Sequence, residues 1–438
     1  MVDSADVVVV GAGPAGCACA LSFARRGARV LVLEAQRAPV RRLAGEWIQP
    51  AGVEALRRLG VDVHRDGPGT ANHGFVMHPG DGSAPIALPF STGEAVSLPH
   101  AELTALLRRA AAGHPAVELR TDVRVLAAEE SGLVRTSRGS MRGALVVGAD
   151  GRASVVRTAL RAERTDRTPF SYTAGLLLTD AVLPREQHGH VVLGGPGPAL
   201  AYRLDRDTVR LCLDVPPARP PAPALLSYLW HGYADALPAG LRTAVAEQLR
   251  AGRVQWAANY FQPHAFYGSG RRALVGDAAG CVHPLSASGL TSAFLDGECL
   301  ARSTDVAAYA RQRSAACRVS DRLAACLHRI LTDRSPATRA LRQAMFTVWR
   351  VDERRRDRML RLLAMTELRR HTFATAFLHV LTRALSSSAR NAVIDGQWEE
   401  LVRELNGFAG WLQWLAQLRA GVPESPGGVH RAVAFLGP

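Results

Sequence analysis

Apolar and polar positions along this chain follow two periods, and the places where one gives way to the other mark its organisation. Val7 to Val10 is an unbroken β-branched run that leads into Gly11-Ala12-Gly13-Pro14-Ala15-Gly16 and the Ala-rich stretch Cys17 to Arg26. That order predicts a buried strand, a tight turn and a helix. Val30 to Leu33 predicts a second buried strand ending at Glu34. The segment from Val146 to Arg157 is again an apolar strand opening into a turn, Gly148-Ala149-Asp150-Gly151, and a helix. A fourth strand, Ala273 to Val275, runs into Gly276-Asp277, then into His283-Pro284-Leu285-Ser286-Ala287-Ser288-Gly289 and a helix from Leu290 to Leu300.

Between these segments the pattern changes. Tyr172 to Thr179, His190 to Leu193, Ala199 to Leu204 and Thr208 to Val215 are short runs bounded by Gly, Pro and Asp, which predict an antiparallel sheet. Five prolines in Pro216 to Pro223 make a stiff connector, followed by a helix over Ala239 to Ala251. From Val306 onward the period is helical, with Leu323 to Leu331, Ala337 to Arg350, Thr372 to Leu385 and Glu399 to Leu418 as the clearest stretches. These predict a C-terminal helical region over 306–438, packed against the nucleotide domain. The stripe Phe408, Trp411, Leu412, Leu415, Leu418 reads as core ahead of a membrane or partner surface. The glycine-bearing turns lie too far apart for loops to join them, so the domain they build is discontinuous: roughly 1–70, 95–170 and 255–305, with 71–94 and 171–254 forming a second domain.

Each glycine of the first turn has a physical task. Gly11 makes the turn, Gly13 lets backbone approach a pyrophosphate, and Gly16 lets the helix lie close on the strand. The helix start, with the N–H groups of Ala15 and Gly16, offers positive dipole to phosphate. Glu34 stands 23 residues past Gly11, where a carboxylate that accepts from ribose hydroxyls belongs. A lone Gly-x-Gly-x-x-Gly is weak evidence, but here strand, glycines, helix, second strand and acid fall in register. The motif does not separate NAD from FAD. Taken singly, Asp150 and Asp277 read as helix caps.

Taken together, the turns at Asp150-Gly151 and Gly276-Asp277 resemble the Asp-Gly and Gly-Asp motifs of the FAD-dependent aromatic hydroxylases, and the three motifs stand in that family's order. A finer resemblance lies in Arg42-Leu43-Ala44-Gly45-Glu46-Trp47-Ile48-Gln49-Pro50-Ala51-Gly52. Squalene epoxidases and a bacterial group of related monooxygenases carry a similar segment, together with His-Pro-Leu in the Gly-Asp motif. The resemblance implies an α/β protein with an FAD-binding Rossmann-like domain of the glutathione-reductase type, an antiparallel substrate domain and a C-terminal helical region. It implies FAD held by Gly11, Gly13, Ala15, Gly16, Glu34, Arg42, His100, Asp150, Gly151, Asp277, Pro284, Gly289 and Leu290. Gln49, Phe75, Pro284 and Ser286 would shape the reaction cavity, and Glu46 would lie near the ring. The implied chemistry is transfer of one oxygen from a flavin C4a-hydroperoxide to an electron-rich aromatic ring or alkene. Two departures matter. His100 stands where the aromatic hydroxylases carry arginine, as it does in squalene epoxidases, and Phe75 replaces their pocket tyrosine, which counts against squalene as the substrate. The resemblance is strong at the three motifs and diffuse between them.

No second glycine fingerprint serves NADH or NADPH, which agrees with transient docking of the nicotinamide or with a separate flavin reductase. The expected substrate is a small aromatic or polyene molecule; an aromatic residue of a polypeptide, such as a tryptophan maturing to a quinone cofactor, is the alternative. Flavin oxidase, reductase or halogenase chemistry on the same fold, and a non-catalytic flavin-binding scaffold, are rivals; no Trp-x-Trp-x-Ile-Pro segment favours halogenation. Composition narrows the rest. The chain has 438 residues, 47% of them hydrophobic, without the run of about 20 apolar residues that a membrane span needs. Neither a leader sequence nor a disulfide framework is evident among seven scattered cysteines, so the expectation is a cytoplasmic protein with reduced thiols. The formal charge of +14 reads as arginine on solvated helices rather than a nucleic-acid surface.

Overall fold

The computed structural model describes residues 3–160 and 169–420. Residues 161–168, inside the segment 95–170, and 421–438, inside the C-terminal region, lie outside the described residues. The chain divides into two units: Met1–Ala71, Glu94–Arg167 and Gln262–Asp321 form the first, and Asn72–Gly93, Thr168–Phe261 and Arg322–Pro438 the second.

In the first unit the β-branched run becomes the middle of a parallel sheet. Five parallel strands lie in the order Arg272–Leu274, Gly139–Gly148, Asp3–Val10, Val30–Leu33 and Val117–Arg120. Val7 to Val10 and Val30 to Leu33 are all buried, as expected for strands covered on both faces. The helices Pro14–Ala24 and Gly289–Arg302 pack closely, because Gly297 faces the Cys19 backbone: a Cβ there would stand 2.8 Å from Cys19 Cα. Cys17 and Cys19 are fully buried in this layer, burial raises both thiol pKa values, and all seven cysteines are free.

The second unit is built on a seven-stranded sheet in the order Gln255–Asn259, Ser171–Thr179, Thr208–Val215, Ala199–Arg203, Gly189–Val192, Gly74–His78 and Ile86–Pro89. The four strands predicted between 172 and 215 are present, extended by two from the 74–89 segment. The strand Gln255–Asn259 pairs with Ser171–Gly175 and so belongs to this sheet, although the spacing places 255 in the nucleotide domain. One face, carrying Ala174, Leu176, Leu211 and Leu213, packs on the helices Ala222–Tyr233 and Ala239–Arg250.

The C-terminal region is helical: Val306–Thr332, Pro336–Val351, Glu353–Leu363, Arg370–Asp395 and Trp398–Ala420. Its first part, Val306 to Asp321, does pack on the nucleotide domain: Val306, Tyr309 and Cys317 join that domain's core, and Tyr309 donates to Leu274 O at 2.8 Å. From Arg322 onward that expectation needs correction: the region groups with the second unit, where Pro336–Val351 and Glu353–Leu363 lie against strand Ile86–Pro89. Periodicity tells which side of a helix is apolar, not which sheet receives it. Phe408 and Trp411 are core, with Trp411 donating to Thr338 Oγ1 at 2.9 Å, but Leu412 is 46% exposed.

Candidate cofactor site

Strand register brings the three motifs to one edge of the first sheet. Val10 pairs with both Leu33 and Gly148, and Gly148 pairs with Leu274, so the four strands end side by side. Gly11, Glu34, Asp150 and Asp277 therefore stand in a row at the carboxyl ends of parallel strands, the position where open α/β sheets bind ligands. Backbone bonds tie the row together: Gly11 N donates to Leu33 O at 2.8 Å, Ala149 N to Val10 O at 2.8 Å, and Val275 N to Gly148 O at 3.0 Å.

The glycines of the first turn differ in what they do. Gly11 has φ of +101° and faces Ala149 O, which a Cβ would approach to 2.6 Å; at Gly16 a Cβ would fall 1.9 Å from Gly11 O. Both are required by the fold itself. Gly13, in extended backbone at the start of the Pro14–Ala24 helix, would meet nothing within 4 Å. That leaves room there for an approach from outside. The N–H groups of Ala15 and Gly16 precede the first full helical bond, Cys17 N to Gly13 O.

Glu34 is held more tightly than its position alone suggests. Its carboxylate accepts from Ala12 N at 2.7 Å and Gln36 N at 2.8 Å and pairs with Arg108 at 3.2 Å. Arg108 also donates to Ala12 O at 2.9 Å, so acid and guanidinium clamp the glycine turn from both sides. Asp150 uses Oδ2 to accept from Val155 N at 2.7 Å, at the first residue of a helix capped by Ser154, while Oδ1 is buried without a partner. Burial raises the Asp150 pKa. Gly151 turns through φ of +73°.

Residues that the motifs did not reveal brace the Gly-Asp turn. Arg157, 3% exposed, donates to Ala278 O at 3.0 Å and also to Arg152 O, joining the Asp-Gly turn to the Gly-Asp turn. Asp296, fully buried, accepts from Gly276 N at 2.8 Å and pairs with Arg313 at 2.6 Å. The His264 ring lies 2.8 Å from Asp321, whose other oxygen accepts from His264 N. Burial alone would push the imidazole pKa down; the Asp321 carboxylate outweighs it and raises it to about 10, so the imidazole keeps its proton at neutral pH. No local pattern singles out these five residues, because each acts through a partner distant in sequence.

The fourth group lies between the segment 42–49 and the start of the Gly289–Arg302 helix. The buried Gln49 is held by two bonds: its backbone N–H donates to Thr291 Oγ1, and its side-chain Nε2, which sets the orientation of the amide, donates to Ser286 O, both at 3.0 Å. A carbonyl can only accept, so the amide oxygen Oε1 must point the other way, and it is buried without a partner. Ser286 and Ser288 share a hydroxyl bond of 2.9 Å. Ala287 adopts φ of +49°, and Pro284 is exposed at the start of this short turn. Leu290 packs under Gly45, where a Cβ would meet it at 3.0 Å. His100 opens the helix His100–Ala112 and bonds Gly45 O through Nδ1 at 2.9 Å. Burial lowers its pKa, with Arg42 adding to the effect and Glu46 and Asp277 opposing it, so the exposed Arg42 and Asp277 share its electrostatic surroundings. A neutral ring donating through Nδ1 leaves Nε2 as an acceptor, where an arginine would only donate. Phe75 lies apart from this group in sequence and unit: it sits on Gly74–His78 of the second unit, edge-on to Phe90 with centroids 5.8 Å apart.

These residues fit a dinucleotide with a polar ring. Gly13 and Gly289 have open space where a side chain would begin, two helix starts present N–H donors, and the buried oxygens of Asp150 and Gln49 lack donors. Residues 4–312 match the family described as FAD binding domain. The chain belongs to that family. It is 31% identical over 317 residues to squalene epoxidase erg1 of Aspergillus fumigatus, covering 67% of this chain and 64% of that protein. Its fold is that of FAD-dependent monooxygenases. p-Nitrophenol 4-monooxygenase PnpA from Pseudomonas putida matches with a TM-score of 0.70 at 22% identity, over 84% of this chain and all of that one. PqsL from P. aeruginosa, solved with 2-aminobenzoylacetate, matches with a TM-score of 0.66 at 24% identity, over 76% of this chain and 98% of that one. Against the curated family relatives the chain spans between 52% and 68% of their length. Among the described residues no helix is long and apolar enough to cross a membrane.

Proposed function

We propose that this protein is an FAD-dependent monooxygenase acting on a small, electron-rich aromatic or alkene substrate. The observation that carries this is the alignment of the three family turns at one sheet edge, with the buried acceptor of Gln49 beside the Gly289 helix start. Bound and reduced FAD supplies the activation of dioxygen; one oxygen atom enters the substrate, the other leaves as water, and NADH or NADPH provides the two electrons, directly or through a separate reductase.

The chain's own residues hold and orient. The first helix start and Gly13 take the pyrophosphate, with Glu34 and Arg108 fixing the turn beneath it. Asp277 and the His100 acceptor hold hydroxyls of the ribityl chain, and the N–H groups of Gly289, Leu290 and Thr291 favour negative charge at the adjoining ring edge. Gln49 Oε1, oriented by the Nε2 bond to Ser286 O, accepts one N–H or O–H bond in a dry setting. Taken by itself, the second unit offers a candidate substrate surface. Strand pairing puts Phe75, Met77, Val191, Leu200 and Tyr202 on the sheet face opposite the two covering helices, an apolar and aromatic surface suited to flat ring systems or polyenes.

The test is oxygen consumption and product mass across a panel of phenols, aminophenones and polyenes, with FAD and either nicotinamide. A gain of one oxygen atom is the expected product; hydrogen gained or lost without oxygen points to an oxidase or reductase instead. Gln49→Leu keeps the volume but removes the acceptor, and kcat/KM is expected to fall by roughly 10–100-fold with FAD content retained. A parallel loss of FAD would assign Gln49 to folding.

A further inference from the structure

The last helix of the described residues, Trp398–Ala420, carries a second apolar stripe that the other described residues leave uncovered. Its inner side is committed: Phe408 and Trp411 are 3% and 1% exposed, and Gly407 touches Ala337. A separate line of positions, Trp398, Val402, Leu405, Ala409, Leu412 and Ala416, points outward, with Trp398 57%, Val402 56%, Leu405 44% and Leu412 46% exposed and both alanines exposed. The spacing between them is four, three, four, three, four. That is the narrow a/d seam of a coiled coil, not the broad face a helix turns toward its own core. At the near end, Val393 and Ile394, each 71% exposed, enlarge the apolar surface across the Gly396 turn.

We propose that this seam pairs antiparallel with the same helix of a second copy of the chain, making a two-fold dimer. Two properties of the sequence select that occupant. The first is shape. A two-fold axis crossing the seam at the level of Gly407 places Trp398 over Ala416, Val402 over Leu412 and Leu405 over Ala409, so every layer except the Val–Leu one sets a large side chain on a small one. Parallel pairing would set Trp398 on Trp398 and alanine on alanine, leaving two layers unfilled. The second is charge. The chain carries a net charge of +14, which works against self-association in general, yet the exposed flank of this seam holds Glu399, Asn406 and Gln413. In the antiparallel register Asn406 faces its own copy and Glu399 faces Gln413 of the second copy, so no arginine meets an arginine. Arg403 is already paired with Glu399 of its own helix at 3.2 Å. The same flank lacks the Lys and Arg rows of helices that settle on anionic membranes, which disfavours a lipid surface. The stripe from Trp398 to Ala416 runs about 27 Å at the helical rise, enough for two and a half heptads.

Sedimentation of the full chain with saturating FAD at micromolar concentration is expected to give twice the mass of one chain. Leu405→Glu combined with Leu412→Glu, both at exposed positions, is expected to return the mass of one chain with unchanged flavin absorbance and circular dichroism. Each of the two changes should raise the dissociation constant roughly 30-fold or more. Under mild oxidation Asn406→Cys is expected to form a dimer crosslink that the unmodified chain does not form. A single-chain mass for the unmodified protein, a dimer that survives the double glutamate change, crosslinking through Leu405→Cys but not Asn406→Cys, or capture of monomer by phosphatidylglycerol vesicles would each overturn the proposal.

Discussion

Gly13→Asp is expected to yield a folded protein that no longer takes up FAD. The position has extended backbone, φ −74° and ψ −178°, which any residue adopts, and open space for a Cβ. Aspartate is also a favourable residue at a helix start, so stability should hold within about 1 kcal/mol. What changes is the approach to the helix N–H groups, where a carboxylate would repel the pyrophosphate. The expected loss of FAD affinity is at least ~100-fold, or about 2.7 kcal/mol. Gly16→Ala makes the contrast: its Cβ would overlap Gly11 O, so folding fails before binding can be asked about. Fluorescence titration of FAD against both variants, beside urea denaturation, separates the two roles; equal affinity of Gly13→Asp and the unmodified chain would remove the pyrophosphate from this turn.

The second large effect is expected far from any motif. Asp296→Ala strands Arg313, 5% exposed, without its carboxylate and deprives Gly276 N of its acceptor. Removing one partner of such a pair costs about 3–5 kcal/mol, a large part of the stability of an ordinary domain. The double change Asp296→Leu with Arg313→Met, which removes both charges, should recover more than half of that loss, leaving a remainder near 1 kcal/mol for the orphaned Gly276 N–H. Urea midpoints of the single and double variants check this. A single variant within about 1 kcal/mol of the unmodified chain would show that the pair contributes little.

The sequence disclosed those parts of the site whose demands are local. A turn with positive φ at Gly11, a helix laid on Gly11 O at Gly16 and an acid at the end of the next strand each leave a mark in adjacent residues, and the structure sets these segments where the spacing implies. What stayed hidden is held by distant pairs. Arg157 reaches Ala278, Asp296 reaches Arg313, and His264 reaches Asp321, across a burial boundary that periodicity does not draw. The charge balance reads as arginine on solvated helices, yet Arg157, Arg210 and Arg313 are at most 5% exposed. A count of arginines carries no information on which of them find a buried partner. The same holds for the C-terminal helix: Phe408 and Trp411 explain its inner face, and their strong pattern masks the outward seam that begins at Trp398.

One FAD is to be held by turns that lie at residues 11, 150 and 277. Equilibrium dialysis of FAD against the purified chain, followed through the flavin absorbance bands, tests this most directly. Uptake of one FAD per chain, with shifted bands and competition by ADP, is the predicted result; no retained flavin at any FAD concentration would contradict it.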